Sequence, residues 1–544
     1  MSLEKQYKVG MQTDSLCGAT VCKTLEEALT HLDKALFVYE KETALFFAVG
    51  FWNGGKLSIV PDDARLLAFA PPCLPSHLGD VSFCRDLKIS FPCYAGSMAH
   101  GISSEQLIRS MAIAGMLGFY GSAGLSLEEL ERVIIRLSSQ CKDRSFGVNL
   151  LNSPEDSSRE HGVVELLLKH NVQLAEASAY IIPSPALIKY RVKGVKKTAG
   201  GMIESHNHLI AKVSRLEIAR RFLEPPPLKV LEQLQTNGEI TPEEANLGRN
   251  LPVAQYITVE ADSAGHTDHR PALSIFPAVK DLAREMHSKH KYGKSLKIGL
   301  AGGMGTPSAA AAAFSMGAAY IVTGSINQAC LESGTSPQVR TLLAQAAQTD
   351  VTNAPAADLF ERGGTVQVLK KGTHFAERAR KLHDFYVQYI SIDDIPKDQR
   401  YDLEKKVFQK SFDDIWQETK EYFRKTNPRQ LEIATKNPKH KMALIFRWYL
   451  GNAVKWACVG EKDHIDDYQI WCGPAMGAFN DWAQGTIFEN PAMRSAPVVA
   501  LNLLYGAALL LRMEILRAQG ISVENCRIPC PVNTFPEFMS TQEQ

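Results

Sequence analysis

Residues 296–327 read LKIGLAGGMGTPSAAAAAFSMGAAYIVTGSIN, and this stretch decides the fold. It opens on a short apolar run that ends in Gly302-Gly303. Thr306-Pro307 then supplies an N-cap and a first-turn proline, and the alanines that follow make a slim helix that packs closely. AAYIVTG is a second apolar run, and it ends in Gly324-Ser325. Two strand-length runs joined by one helix make a βαβ unit. Both strand-to-helix turns carry glycine. Bare backbone N–H groups and helix N-termini together suit a phosphate dianion. Tight turns are the other reason to place glycine there. Gly302, Gly303 and Gly305 do not have the spacing of a dinucleotide GxGxxG.

The same unit recurs outward from this stretch. LKISFPCYAG (87–96) reads as a strand, followed by the helix SSEQLIRSMAIAGML with Ser103 or Ser104 as N-cap. The helix LSLEELERVIIRLSSQ precedes the strand SFGVNL, and VVELLLKH precedes VQLAEASA. HLIAKVS and AQYITVEA add two strands. Short continuous apolar runs are what parallel strands covered on both faces look like. Seven or eight such units in about 290 residues predict an α/β chain with a (β/α)8 TIM barrel over residues 86–375. A doubly wound open sheet has the same periodicity and stays open.

Residues 1–85 read as a small mixed domain that contains strands. FFAVGFWNGGKLSIV (46–60) has two apolar runs around Asn53-Gly54-Gly55, a hairpin signal. From 376 to 544 the strand pattern stops, and a helical region is expected. HFAERARKLHDFYVQYI, YDLEKKVFQKSFDDIWQETKEYFRKT and KMALIFRWYLGNAVKWA each read as one helix, and KNPKHK (436–441) as a solvated turn. APVVALNLLYGAALLL (496–511) contains Asn502 and Gly506 between Arg494 and Arg512. It falls short of the roughly 20 residues that span a bilayer, so it reads as a buried helix.

Of 544 residues, 60 are Lys or Arg and 59 are Asp or Glu, a formal net charge of +1. That balance gives no reason to expect nucleic acid or an anionic membrane as bulk partner. The first residues lack an apolar export signal. The 11 cysteines are scattered; Cys17/Cys22 and Cys526/Cys530 are not CxxC pairs. Reduced thiols in the cytoplasm are the expectation, with no zinc site.

In a barrel, chemistry sits at the C-terminal ends of strands. The first strand ends CYAGSMAHGIS, where Gly96, Met98, Ala99 and Gly101 either admit a flat ligand or make an ordinary loop around a core Met. The second strand ends at Asn149, a residue that binds a ligand or caps a turn. Lys212 stands in an otherwise apolar strand. Burying an unpaired ammonium is costly, so it either snorkels out or meets an anion. The fifth or sixth strand ends VEADSAGHTDHRP (259–271). Glu260, Ser263, Gly265 and His266 stand at its tip, and the small residues before His266 let its imidazole reach the barrel mouth. A metal site of His266, His269 and one carboxylate has loop spacing and no further ligand.

The order YAGSMAHGIS, FGVNL, AKVSR, VEADSAGHTDHRP, AGGMGTP, VTGSINQA resembles the flavin-dependent barrels of nitronate monooxygenases and FMN-type enoyl-acyl-carrier-protein reductases. ADSAGHTDHRP, RFLEPPP and DYQIWCGPAMGAFNDW (467–482) resemble a narrower branch. These are the trans-acting enoyl reductases of polyunsaturated fatty acid and trans-acyltransferase polyketide synthases. The resemblance implies an FMN barrel that uses NADPH to reduce α,β-unsaturated thioesters on an acyl carrier protein. It implies that Gly302, Gly303, Gly324 and Ser325 hold the FMN phosphate. Met98 and Ala99, after Gly96, would lie along the isoalloxazine, with Asn149 and Lys212 at its polar edge. His266, after Gly265, matches the histidine of the family's Gly-Gly-His loop, but Ala264 stands where the first Gly would be. His266 is then the candidate proton donor, and Lys212 the group that offsets charge on the reduced flavin. Cys472, Pro474, Met476 and Asn480 either line an acyl tunnel or belong to the core. A homodimer stays open. Three other readings remain: a nitronate monooxygenase (2-nitropropane dioxygenase-like), a non-redox barrel binding a phosphorylated metabolite, and an idle docking subunit.

Overall fold

The computed structural model describes residues 20–50, 63–152 and 157–526, with 535 and 539. Contacts divide the chain into two compact units. One comprises Met1–Pro92, Thr306–Tyr320 and Pro497–Gln544; the other comprises Cys93–Gly305 and Ile321–Ala496.

The second unit holds the barrel. Its eight strands are, in chain order, Cys93–Ala95, Leu117–Tyr120, Gly147–Leu151, Leu174–Ser178, His208–Val213, Tyr256–Glu260, Lys297–Ala301 and Ile321–Thr323. All pair in parallel, and the eighth closes on the first, with Val322 opposite Tyr94. The open-sheet alternative is therefore excluded. Strand residues are almost all buried, as continuous apolar runs require. Helix starts follow their caps. Ser104 accepts the Leu107 N–H, and Ser126 with Glu129 forms a capping box, each worth about 1 kcal/mol.

Four expectations are corrected. The first strand is only Cys93–Ala95; Lys88 has φ +52° and Pro92 lacks an amide hydrogen, so 87–92 cannot join the ladder. Asn149 lies on the third strand, because Leu117–Tyr120 is a strand in its own right. With four residues, one a glycine, LGFY reads as the tail of the preceding helix. The long helix expected over 401–426 breaks at Gln409, φ +55°. A new helix, Phe412–Thr426, starts with Ser411 capping the Asp414 N–H. KNPKHK is a turn only at Asn437, which caps the helix Pro438–Val459; His440 is buried between Glu361 and Gln430.

Beyond the barrel strands, a hairpin of Val351–Pro355 and Thr365–Leu369 packs into one core with the helices Phe375–Gln388, Phe412–Thr426 and Pro438–Val459. At its centre Phe408 stacks on Phe446 and meets Tyr449 edge-on. Tyr449 donates to the buried Asp467 at 2.7 Å, which also pairs with Arg378.

The first unit has a four-stranded antiparallel sheet in the order Thr20–Cys22, Ala44–Gly50, Ala35–Lys41, Arg65–Ala70. The expected turn at Asn53–Gly55 lies outside the described residues. The helix Pro307–Ser315 begins at the Thr306 cap and Pro307 as expected. The apolar stretch is the helix Ala496–Arg517, long and apolar enough to cross a membrane, with 67% of its most apolar window buried. Arg512 is fully buried on it and donates to the carbonyls of Leu29, His31 and Lys34. Burial pushes its pKa down to about 10.

Candidate active site at the barrel mouth

The C-terminal ends of the seventh and eighth strands are neighbours, with Ala301 opposite Val322. Gly302 (φ +85°) has a left-handed backbone, and a Cβ there would strike the Ala261 and Asp262 backbone at 2.7 Å. Only glycine fits. Gly303 (φ +77°) and Gly324 differ: a Cβ on either would meet nothing within 4 Å. The main chain at these two adjacent strand ends is thus bare and faces open space, the setting in which backbone N–H groups take an anion. Ser325 opens the short helix after Gly324, and its Oγ accepts the Gly473 N–H at 3.3 Å.

Across the barrel, Glu176 is completely buried on the fourth strand. One carboxylate oxygen accepts Tyr94 Oη at 3.0 Å; the other accepts the Ser97 N–H at 3.1 Å and the Ser97 hydroxyl. Tyr94 Oη also meets Thr258 Oγ1 at 2.8 Å. Glu176 thereby ties the loop that carries Met98 and Ala99 to the barrel interior. Sequence reading passed over it, because one Glu in LAEAS looks like an edge position. Gly96, at the start of the same loop, would place a Cβ 3.1 Å from Val322. Met98 and Ala99 are half-buried, and Met98 N–H is fixed by Ser103 Oγ at 2.8 Å.

Lys212 neither snorkels nor waits for an external anion. Its Nζ lies 3.0 Å from Glu260 Oε1 on the next strand. Burial opposes the ammonium, but the Glu260 and Glu176 carboxylates outweigh it and raise the pKa above the usual lysine value. Lys212 is a fixed positive charge at the mouth. Asn149 is buried, and its Nδ2 donates to Glu176 O and Ser178 Oγ, both at 3.0 Å.

The loop after the sixth strand divides its polar residues by task. Asp268 takes a bidentate pair from Arg215, both bonds 2.8 Å, and the Ser214 hydroxyl. Arg215 holds its carboxyl down at about 2. Asp262 meets His269 Nδ1 at 2.8 Å, and His269 Nε2 meets Asn353 Oδ1 at 3.1 Å. His266 points elsewhere: its Nε2 lies 3.2 Å from Asp358, with a side chain 53% exposed. Partial burial lowers its pKa, but the Asp358 hydrogen bond and charge, helped by Glu260, raise it overall. The two histidines thus reach different carboxylates.

Three partners of this loop lie far from it along the chain. Gln367, buried on the hairpin, exchanges backbone bonds with Gly265 at 3.0 and 2.7 Å, and its amide donates to Ser263 O at 2.7 Å and Asp262 at 3.2 Å. Trp471 lies 3.9 Å from where a Gly265 Cβ would be and stacks on His100, ring centres 5.9 Å apart. Gly473 packs against Ala264, and Ala475 O lies against Gly305. WCGPA (471–475) therefore bridges the loops of the first, sixth, seventh and eighth strands. Cys472 and Met476 are fully buried, and Asn480 donates to Leu343 O and Ala346 O.

Comparison with known proteins supplies the context. Residues 389–468 match the inserted helical domain of [acyl-carrier-protein] S-malonyltransferase. The chain is similar to a polyunsaturated fatty acid synthase polypeptide of Thraustochytrium sp., 43% identical over 453 residues, 82% of this chain and 30% of that protein. It is 42% identical over 495 residues to the polyketide biosynthesis protein PksE of Bacillus subtilis, 87% of this chain and 64% of PksE. It spans less than two thirds of either relative's length. Among solved structures, it is similar to the enoyl reductase domain of MlnA from the macrolactin biosynthesis cluster of Bacillus amyloliquefaciens. The TM-score is 0.78 and the identity 38%, over 81% of this chain and all of that domain.

Proposed function

The chain belongs to the family of the MlnA enoyl reductase domain, and from that premise we propose that it is an NADPH- and FMN-dependent enoyl reductase. Its substrates would be α,β-unsaturated acyl thioesters carried on acyl carrier protein in polyketide or polyunsaturated fatty acid synthesis. The observation that carries the cofactor is the bare main chain at Gly303 and Gly324 on adjacent strand ends, open above both residues.

Gly302, Gly303, Gly324 and Ser325 would hold the FMN phosphate, with Gly96, Met98, Ala99, Asn149, Lys212 and Gly265 around the rest of the cofactor. The chemistry a bound FMN supplies is hydride relay from NADPH to the β-carbon of the enoyl thioester. The chain's own residues manage charge and protons. Lys212, kept protonated by Glu260 and Glu176, presents positive charge where negative charge grows. His266, its proton held by Asp358, donates at the thioester oxygen or the α-carbon. Gln367 keeps the His266 loop in register, and the stacked Trp471 and His100 shield the mouth from water. The helical region 376–544 would face the carrier protein.

The test is a visible spectrum of the purified protein with and without NADPH, followed by NADPH oxidation with crotonyl thioester against propionate 3-nitronate. Flavin absorbance, its bleaching by NADPH and a preference for crotonyl thioester are expected. A colourless protein overturns the cofactor, and preference for the nitronate overturns the substrate.

A further inference from the structure

Charge is spread unevenly along this chain. The whole sequence carries +1, yet residues 420–456 hold nine lysines and arginines against Glu421 and Glu432, a net of +7. They fall on three consecutive helices, Phe412–Thr426, Arg429–Lys436 and Pro438–Val459. Arg424, Lys425, Arg429 and Lys436 are exposed. Neither they nor Lys420 stands within ion-pair distance of a carboxylate among the described residues. Aromatic rings lie among them. Lys441 sits 5.3 Å over Trp416, and Lys455 sits 5.8 Å over Tyr422, which is 55% exposed.

An unpaired cationic face with exposed rings suits an acidic protein surface: charge steers the encounter, and rings give contact area at low entropic cost. Two of these helices, Phe412–Thr426 and Pro438–Val459, share one core with the hairpin that carries Gln367, and Trp471 packs against that core.

We propose that the basic face of these three helices is the docking surface for an acidic carrier-protein domain, which thereby delivers its tethered acyl chain to the barrel mouth. This rests on the enoyl-thioester reading for its partner. The stretch lies within the residues that match the inserted helical domain of an acyl-carrier-protein transferase. A nucleic acid is the competing polyanion. Nine cations gather in one short stretch of a chain whose overall charge is +1, which favours a compact acidic partner.

The experiment measures fluorescence anisotropy of a labelled, pantetheine-bearing type II acyl carrier protein titrated with the full chain. The triple variant Arg424→Glu, Lys425→Glu, Arg429→Glu is compared with Lys229→Glu, which reverses an exposed lysine on another helix, Leu228–Thr236. The triple variant should bind at least about tenfold more weakly and lose most of the salt dependence. Lys229→Glu should bind like wild type. Turnover of crotonyl-pantetheine should stay within about twofold of wild type in both. If the triple variant melts early, Lys420→Glu with Lys455→Glu repeats the test. Unchanged carrier binding overturns the proposal, as does equal weakening by Lys229→Glu. So does a face whose reversal abolishes oligonucleotide binding while sparing the carrier. Binding is read without turnover. Carrier binding that depends on this face, in a chain that reduces no thioester, would therefore keep the docking surface and discard the reductase reading.

Discussion

The barrel mouth and the helical face treat charge in opposite ways. Inside the barrel, ionisable groups are buried and tied: Lys212 to Glu260, and Glu176 to Tyr94 and Ser97. On the helices over 412–459, Arg424, Lys425, Arg429 and Lys436 are exposed and have no carboxylate partner among the described residues. A buried charge is tolerated only when neighbours satisfy it, so the mouth is a fixed electrostatic frame that cannot re-sort itself. An exposed cation keeps its hydration at little cost and remains available to a partner. The difference separates groups that hold geometry from groups that meet something new.

Removing a tied charge should hurt most. Glu176→Ala strands the Tyr94 hydroxyl and the Ser97 N–H and leaves Lys212 with one carboxylate fewer. It should cost about 3 kcal/mol, read from the urea midpoint. A loss below about 1 kcal/mol would mean that water satisfies these donors, and the mouth would not be a closed frame. His266→Ala should lower enoyl-thioester turnover by about 100-fold with an unchanged melting temperature, since the residue is half exposed. Near-normal turnover would remove it from the chemistry. Its partner gives a sharper reading. Asp358 holds the His266 proton, so Asp358→Asn should lower that pKa. The alkaline limb of the pH–rate profile should then move to lower pH, and a limb that stays put would free His266 from Asp358. Gln367→Ala loosens the loop without touching the imidazole, and a roughly tenfold loss of turnover is expected. The smallest effect belongs to Arg215→Ala, about 0.5–1 kcal/mol for a half-exposed pair. Asp268 is held at about 2, so its stabilisation is full above its unfolded pKa of about 3.9 and is lost as pH falls through 2. The variant should flatten that part of the acid-stability curve.

Much of the architecture was legible because it repeats. The βα units share a strand-length apolar run followed by a helix, and seven of the eight strands followed from that pattern. Leu117–Tyr120 did not, since four residues carry too little periodicity. The site was legible where it obeys the strand-end rule: Gly302, Gly324 and His266 stand where βα turns must be. Their partners were not. Glu176 is distinguished from a surface glutamate only by what encloses it. Gln367 and Trp471 lie about 100 and 200 residues beyond Gly265, and no local pattern records such meetings. Asp358 escaped for the same reason.

WCGPA (471–475) reaches back over strands that end near Thr323, and this has a consequence in time. The eighth strand leaves the ribosome roughly 150 residues before Trp471, an interval of about 10–30 s at ordinary elongation rates. During it the nascent barrel has every strand but lacks the segment that bridges four of its loops. Trp471, which lies against His100 and Gly265, is the last of these residues to be synthesised. A chain stalled before that residue would carry a complete barrel with an unsealed mouth.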